Sequence, residues 1–296
     1  MLDLSYFQNQ NSNVQGFFNG GTWQTWIKPR GAKLVNIICQ GSGAGGGGGF
    51  QSASTPRAGG SGGAGGATAR LTINANLLPD ILYILPGIGG AGGIGGTLGV
   101  GTSGGVGEIS YVTLSPNTSS VSNIVVRSGT LSARGGAVGT STAPAVSLGE
   151  SINVIANNIF VNLGTFTFQA GSNGLQGSTV NGSGISPPGN FVFSGTGGGG
   201  TGTGGGVTAG GVFPAITGAP VNTNGANGII LYKPTLMLYS GSGGGGSSAA
   251  GTNGGNGGNG APGAGGGGGG ASSNTGVNAG NGGKGGDGFV IITTSL

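Results

Sequence analysis

Histidine is absent from this chain, cysteine occurs once, and only five of 296 residues are acidic. Each shortage removes a class of chemistry. Without histidine, a serine nucleophile has no imidazole base and a zinc site lacks its usual donors. A paired-carboxylate mechanism would need the fold to join acids as far apart in sequence as Glu108 and Glu150. The composition therefore argues against an enzyme, and no cofactor is expected. Cys39 has no partner for an intrachain disulfide, and its place in the apolar run 34–39 predicts burial as a small hydrophobe.

Charge is scarce as well. Nine basic residues against five acidic ones give a net +4, but they are scattered singly. Arg57, Arg70, Arg127 and Arg134 stand apart without interleaved aromatics, so no nucleic-acid partner is expected. No stretch of 18 consecutive apolar residues occurs, so no membrane insertion is expected. The opening MLDLSYFQNQNSN carries Asp3 and polar residues where a secretory signal has a basic start and an apolar stretch, so none is expected. An amphipathic helical period survives nowhere, because glycine costs about 1 kcal/mol per helical position relative to alanine and interrupts nearly every window.

What the chain has is glycine, 80 residues of it. Disorder is the usual reading of such a composition, since glycine loses the most freedom on ordering and offers no side chain to bury. Here 34% of residues are hydrophobic, only 5% are charged, and the mean hydropathy is +0.15, which is the opposite of a disordered balance. A strict Gly-X-Y period is missing, which excludes collagen. The glycines come in bursts that alternate with short strand-like runs.

Residues 33–40 form the clearest predicted strand, with Val35, Ile37 and Cys39 on one face and Leu34, Asn36 and Ile38 on the other; it runs directly into the glycines of 41–49. Further strands are predicted at 67–73, 80–85, 108–114, 123–127, 152–155, 159–168, 190–193 and 289–294, and an apolar run with Pro234 inside it spans 228–239. Residues 133–150 read as a spacer. The fold class expected is all-β: sandwich or jelly-roll strands interleaved with glycine-rich extended layers and almost no α-helix. By composition the chain divides into an N-terminal arm (residues 1–16), a first β and glycine-rich unit (17–150) and a second (151–296).

Within the glycine tracts a period of three emerges, at 254–260 and 282–288. Three residues per turn is the period of the extended left-handed helix, with a rise of about 3.1 Å per residue. Two faces then carry no side chain, and neighbouring backbones can approach closely enough to bond. The third face, with Asn256, Asn259, Lys284 and Asp287, is expected to be solvated. The tract 89–96 has the same period, but its Ala91 and Ile94 are expected to meet a core.

Gly-x-Gly-x-x-Gly matches abound, none of them opening a helix after a strand, so they carry no dinucleotide-binding information. Residues 282–290 fit a calcium-binding nonapeptide, with Asp287 in the ligand position and Phe289 in the apolar one. A degenerate copy with Asn259 in place of Asp makes Asp287 a weak metal candidate and no more. Trp23 and Trp26 could stack on a sugar or base, but in a chain so short of large side chains they read first as core. No catalytic, cofactor-binding or receptor-binding residue is assigned.

The run Gly21-Thr22-Trp23-Gln24-Thr25-Trp26-Ile27-Lys28-Pro29, followed by the strand 33–40 and the burst 41–49, resembles the glycine-rich domain of tailed-bacteriophage virion proteins, including tail-fibre, appendage and decoration proteins. The likeness continues through Leu78-Pro79-Asp80 to Gly93, Ser110-Tyr111-Val112, Asn224-Gly225-Ala226-Asn227-Gly228 and the terminal Gly-Gly-Asp-Gly-Phe-Val-Ile-Ile. The resemblance implies a structural virion component projecting from tail or capsid, assembled in the host cytoplasm and released by lysis. It implies a homo-oligomer, with a trimer favoured, in contact with other virion proteins. The alternative it implies is a host-surface adhesin touching a polysaccharide or outer-membrane protein through loops such as 183–190 or 213–227. Ice binding is a remoter alternative, because it requires a flat regular face and the threonines are irregularly spaced.

Overall fold

The computed structural model describes residues 12–53, 57–151, 159–182, 198–200, 204, 219–233, 237–240, 245–246, 252–273 and 276–296. The predicted strands at 152–155 and 190–193 lie outside the described residues, as does the loop 183–190. The fold is all-β, as expected. One five-stranded antiparallel sheet has the order β1 (Ser12–Phe17), β11 (Phe289–Ser295), β3 (Leu34–Gln40), β4 (Thr68–Asn74) and β8 (Thr165–Gln169). A four-stranded antiparallel sheet has the order β2 (Gln24–Ile27), β5 (Ile81–Leu85), β6 (Tyr111–Thr113) and β7 (Ile124–Arg127). β9 (Ile230–Lys233) and β10 (Met237–Ser240) pair antiparallel as a separate two-stranded sheet.

The two larger sheets enclose one hydrophobic core. Val35, Ile37 and Cys39 from β3, Leu71 and Ile73 from β4, and Val290 and Ile292 from β11 meet Trp26, Leu82, Ile84 and Val112 from the other sheet. These are the alternate residues of each strand, as a period of two requires. The other face of β3 and β11 carries a smaller cluster of Ile38, Phe289 and Ile291, against which Val14 and Phe18 pack. Segments from both compositional halves interleave throughout: β11 pairs with β1 and β3, and β8 pairs with β4.

Four expected segment assignments need correction. Residues 12–16 are not part of an arm but belong to β1, paired with β11. Residues 159–168 are not one strand: Ile159–Leu163 is a single α-helical turn and the strand begins at Thr165. The predicted strand 108–114 shrinks to Tyr111–Thr113, with a bulge at Val112/Thr113. The spacer 133–150 is part of the glycine-rich body, where Gly136 and Gly139 donate to Gly45 O and Gly48 O and Arg134 N donates to Leu148 O.

That body continues directly from the strand ends. Along residues 41–51 every backbone N–H donates to another segment, at 2.8–3.1 Å, and the acceptor rotates with a period of three. Residues 41, 44, 47 and 50 donate to 67, 64, 61 and 58; residues 42, 45, 48 and 51 donate to 108, 105, 102 and 99; residues 43, 46 and 49 donate to 286, 283 and 280. Three further segments donate in return, from 90, 93 and 96, from 136 and 139, and from 266, 269 and 272. A helix of three residues per turn with six neighbours, three antiparallel and three parallel, produces this pattern.

The stretches 57–67 and 264–272 are surrounded in the same way and touch each other as well as 41–51. Around this central triangle the described residues place 87–96, 99–108, 133–140, 147–150, 171–178, 198–200, 245–246, 253–260 and 277–288, each bonded to an inner member or to its neighbour. Three inner members ringed by nine is hexagonal close packing.

Close packing explains where glycine is uninterrupted. A Cβ added to Gly45, Gly46, Gly47, Gly48 or Gly49 would lie 1.9–2.1 Å from the carbonyl oxygens of Ala91, Gly267, Ala137, Ile94 and Gly270 in turn. All three faces are closed by backbone. The inner stretch 57–67 keeps one face for small side chains, at Ala58, Ser61, Ala64 and Ala67, and Ala64 fills a gap against Ala44 and Ala133. On the perimeter one face is free. There Ile88 is exposed, and so are Ala91 and Ile94, which do not pack on a core as expected.

Substitution therefore discriminates by position. Gly257→Val and Gly285→Val place a Cβ 2.0 Å from Gly267 O and 2.1 Å from Gly43 O, and each is expected to cost about 4 kcal/mol or more, in the range reserved for severe packing damage. Ile94→Ser, on the open face, is expected to change stability by less than about 0.5 kcal/mol. Thermal melts by circular dichroism check both, and equal stability for the valine variants would refute the close packing.

Candidate functional site

Among the described residues, chemistry-bearing side chains gather at the seam between sheets and glycine array and on one outer face of the array. At the seam, strands hand their backbones to three-residue helices, and the polar groups freed by the change of geometry must be satisfied without water. Gln40, fully buried, donates from Nε2 to Gly41 O and Gly66 O, both at 3.1 Å, and accepts from Thr68 Oγ1. Ser110 Oγ donates to Gln40 O at 2.6 Å and accepts from Gly87 N at 2.9 Å. Ser128 Oγ accepts from Ser110 N at 3.0 Å and donates to Glu150 Oε1 at 2.9 Å.

Glu150 ends this chain of bonds and is 1% exposed. Its Oε2 accepts from Ala67 N at 2.6 Å, and a Cβ on Gly41 or Gly129 would collide with its carboxylate. Burial pushes its pKa up to about 8, although the bonds from Ala67 and Ser128 and the charge of Arg127 pull the other way. Burial, with the Glu150 charge beside it, also holds the Cys39 thiol well above its ordinary value, so Cys39 is an inert core residue, its Sγ donating to Ser110 O at 3.3 Å. A carboxylate sealed this way touches no substrate. Glu108 lies apart from it, exposed, accepting from Ile88 N at 3.2 Å.

The second place is a ladder of asparagines. Asn224 and Asn227 accept, through Oδ1, from the backbone N–H of Asn256 and Asn259 on the next helix. Asn253, Asn256 and Asn259 accept from the N–H of Asn278, Asn281 and Lys284. Asn281 and Asp287 accept from Gly95 and Gly89. All seven bonds are 2.8–2.9 Å. The third-face N–H of a perimeter helix points where no neighbouring carbonyl exists, and the side chain of the adjacent helix takes it instead. The expected outward, solvated face is thus exposed, but its amides and Asp287 also cross-link the helices beneath them.

Asp287, the metal candidate of the nonapeptide motif, spends Oδ1 on Gly89 N and on Lys284 Nζ at 3.3 Å. No group of three or more His, Cys, Asp or Glu that could hold a metal ion occurs among the described residues. Trp26 is fully buried in the core between the sheets, while Trp23 is partly exposed. The asparagine bonds were missed in the sequence because a spacing of three predicts a shared face, whereas the register between helices 25 or 32 residues apart is set by the array. No protein-family model matches this chain, and no curated protein is significantly similar to it. No helix among the described residues is long and apolar enough to cross a membrane.

Two measurements follow from these geometries. Glu150 has a folded-state pKa above its unfolded value, so its proton is held more tightly by the fold, and its contribution to stability falls as pH rises from about 4.5 to about 8. Glu150→Gln, which keeps the shape of the protonated acid, is expected to flatten the melting temperature across that window, removing a dependence on the order of a few kcal/mol at 1.36 kcal/mol per pKa unit; a wild-type profile flat from pH 5 to 8 would contradict this. Lys284 stands opposite Gly92 between the rungs Asn281 to Gly95 and Asp287 to Gly89, and lysine offers no acceptor. Lys284→Asn is expected to supply the missing rung and stabilise by about 0.5–1.5 kcal/mol, read as a rise in melting temperature.

Proposed function

We propose that this protein is a structural component of a tailed-bacteriophage virion, a projecting tail-fibre, appendage or capsid-decoration protein. The observation that carries the reading is the body itself: a close-packed array of backbone-bonded glycine helices anchored at one end in a β-sandwich. Such a body is rigid, short of charge and unsuited to catalysis, which fits a spacer better than an enzyme. The order of motifs from Trp23 to Ile292 that resembles virion proteins supports the same conclusion. Exposed apolar residues at Leu98, Val100 and Val106 offer surface for contacts with further copies or other virion chains.

One observation favours the adhesin as a second reading. Residues 41–51 run away from the sheets for about 30 Å at 3.1 Å per residue, and Ala53, the bend at 97–99 and Gly276 lie toward their far end. Bends collected opposite the sandwich support a reading in which that end meets a surface. Of the loops expected to recognise a receptor, only residues 219–227 are among those described.

Mass spectrometry and immuno-electron microscopy of purified particles test the proposal. The chain is expected at a fixed stoichiometry with label on projecting density, and its absence from particles would refute the assignment. Antibody that labels particles without slowing adsorption would refute the adhesin reading alone.

A further inference from the structure

We propose that the asparagine face, with the groove at its sheet-side end, binds a neutral hydroxyl-rich polysaccharide. The inference starts from the orientation of the amides. In each rung the partner of the side chain is a backbone N–H, so the oxygen is committed and the amide cannot flip. The Nδ2 groups of exposed Asn224, Asn227, Asn253, Asn256, Asn259 and Asn281 are donors without a hydrogen-bond partner among the described residues.

These donors form a lattice. Along one helix they repeat every three residues, about 9 Å at the rise of the extended helix, and they step sideways from helix to helix. Their rotamers are fixed before any ligand arrives, so binding forfeits little side-chain entropy. A polymer that offers acceptor oxygens at repeated intervals matches such a surface, and a small ligand would use only a fragment of it.

The groove supplies what the lattice lacks. It has a volume of about 270 Å³ and is lined by Phe18, Asn259, Pro262, Lys284 and Asp287 together with backbone of 285–288, slightly below the usual range for small-ligand sites. Phe18 is partly exposed and stacks on Phe289 at 5.6 Å with an interplanar angle of 28°, which fixes an apolar ring against which the C–H face of a sugar can lie. Lys284 Nζ and Asp287 Oδ1, 3.3 Å apart, bring a donor and an acceptor whose charges cancel. That cancellation selects a neutral chain over an anionic one.

This inference deepens the adhesin reading by naming a ligand class and the face that binds it, and it is independent of the scaffold reading, which stands or falls on particle composition. The experiment is affinity electrophoresis of the whole chain in native gels containing dextran, xylan or galactomannan. The wild type is expected to be retarded by at least one of the three. The double variant Asn256→Asp with Asn259→Asp keeps an acceptor for the N–H groups of Asn281 and Lys284 but removes both amide donors. It is expected to lose at least tenfold in apparent affinity, normalised to its mobility in polysaccharide-free gel, with an unchanged melting temperature. Phe18→Leu is expected to weaken retardation severalfold. A wild type retarded by none of the three polymers, or a double variant that binds as the wild type does, would overturn the proposal. Ice-growth inhibition by a protein that no polymer retards would assign the face to ice and overturn it equally.

Discussion

Everything in this molecule depends on the backbone N–H to C=O bond made between three-residue helices that have no side chains to separate them. One such bond contributes about 1 kcal/mol net, while ordering each residue costs about 1–2 kcal/mol and glycine costs most of all. Hydrogen bonds alone would at best break even. The array needs the dispersion contacts of backbones in mutual contact, and it needs its strand ends held. The β-sandwich provides the second. Its strands β3, β4, β5 and β11 lead directly into or out of glycine helices, so the core of Trp26, Leu71, Ile37 and Ile292 holds neighbouring helices in register at their sheet-side ends.

The same bond dictates which residues can stand where. On an inner helix three faces meet carbonyl groups, and the chain answers with five consecutive glycines at 45–49 and six at 265–270. Where a little room remains, alanine or serine fills it, and the serine hydroxyls serve backbone groups: Ser61 Oγ accepts from Ala137 N at 2.6 Å and Ser147 Oγ donates to Gly62 O at 2.6 Å. On the perimeter the third N–H faces outward, and the side chain of the next helix replaces the missing carbonyl. Glu150 is the exception that shows the constraint. A carboxyl closes the seam where two glycines leave room for it, and its proton is held tightly because no solvent reaches it.

The sandwich was legible in the sequence because its signal is local. Val35, Ile37 and Cys39 alternate, the run into Gly41 marks the strand end, and β3, β5, β7 and β11 lie close to their predicted limits. The three-residue period was legible only where an outward side chain marked it, as at Asn256 and Asn259. In 45–49 there is nothing to mark a period, and in 57–67 the marks are alanines and a serine. The error at Ile94 has a physical source: an apolar residue in a chain so poor in them reads as core, yet on a perimeter helix the only face with room for a side chain is the one toward solvent. Likewise 133–150 read as spacer because most of its bonds are to segments distant in the chain, as from Gly136 and Gly139 to Gly45 and Gly48. The asparagine face needed the register of the whole array before its amides could be seen to bridge helices.

A body of this kind separates shape, carried by backbone, from surface chemistry, carried by whatever side chains the perimeter and turns display. The claim on which that separation rests is that glycine amides deep in the array are bonded as permanently as those of the sheets. Hydrogen exchange followed by NMR measures it directly. The account predicts that the amides of Gly45–Gly49, Gly269 and Gly270 exchange only with global unfolding, at the same opening free energy as β3 and β11, while Gly92 and Gly99 exchange early. Exchange of Gly45–Gly49 at the rates of an unstructured chain would contradict it.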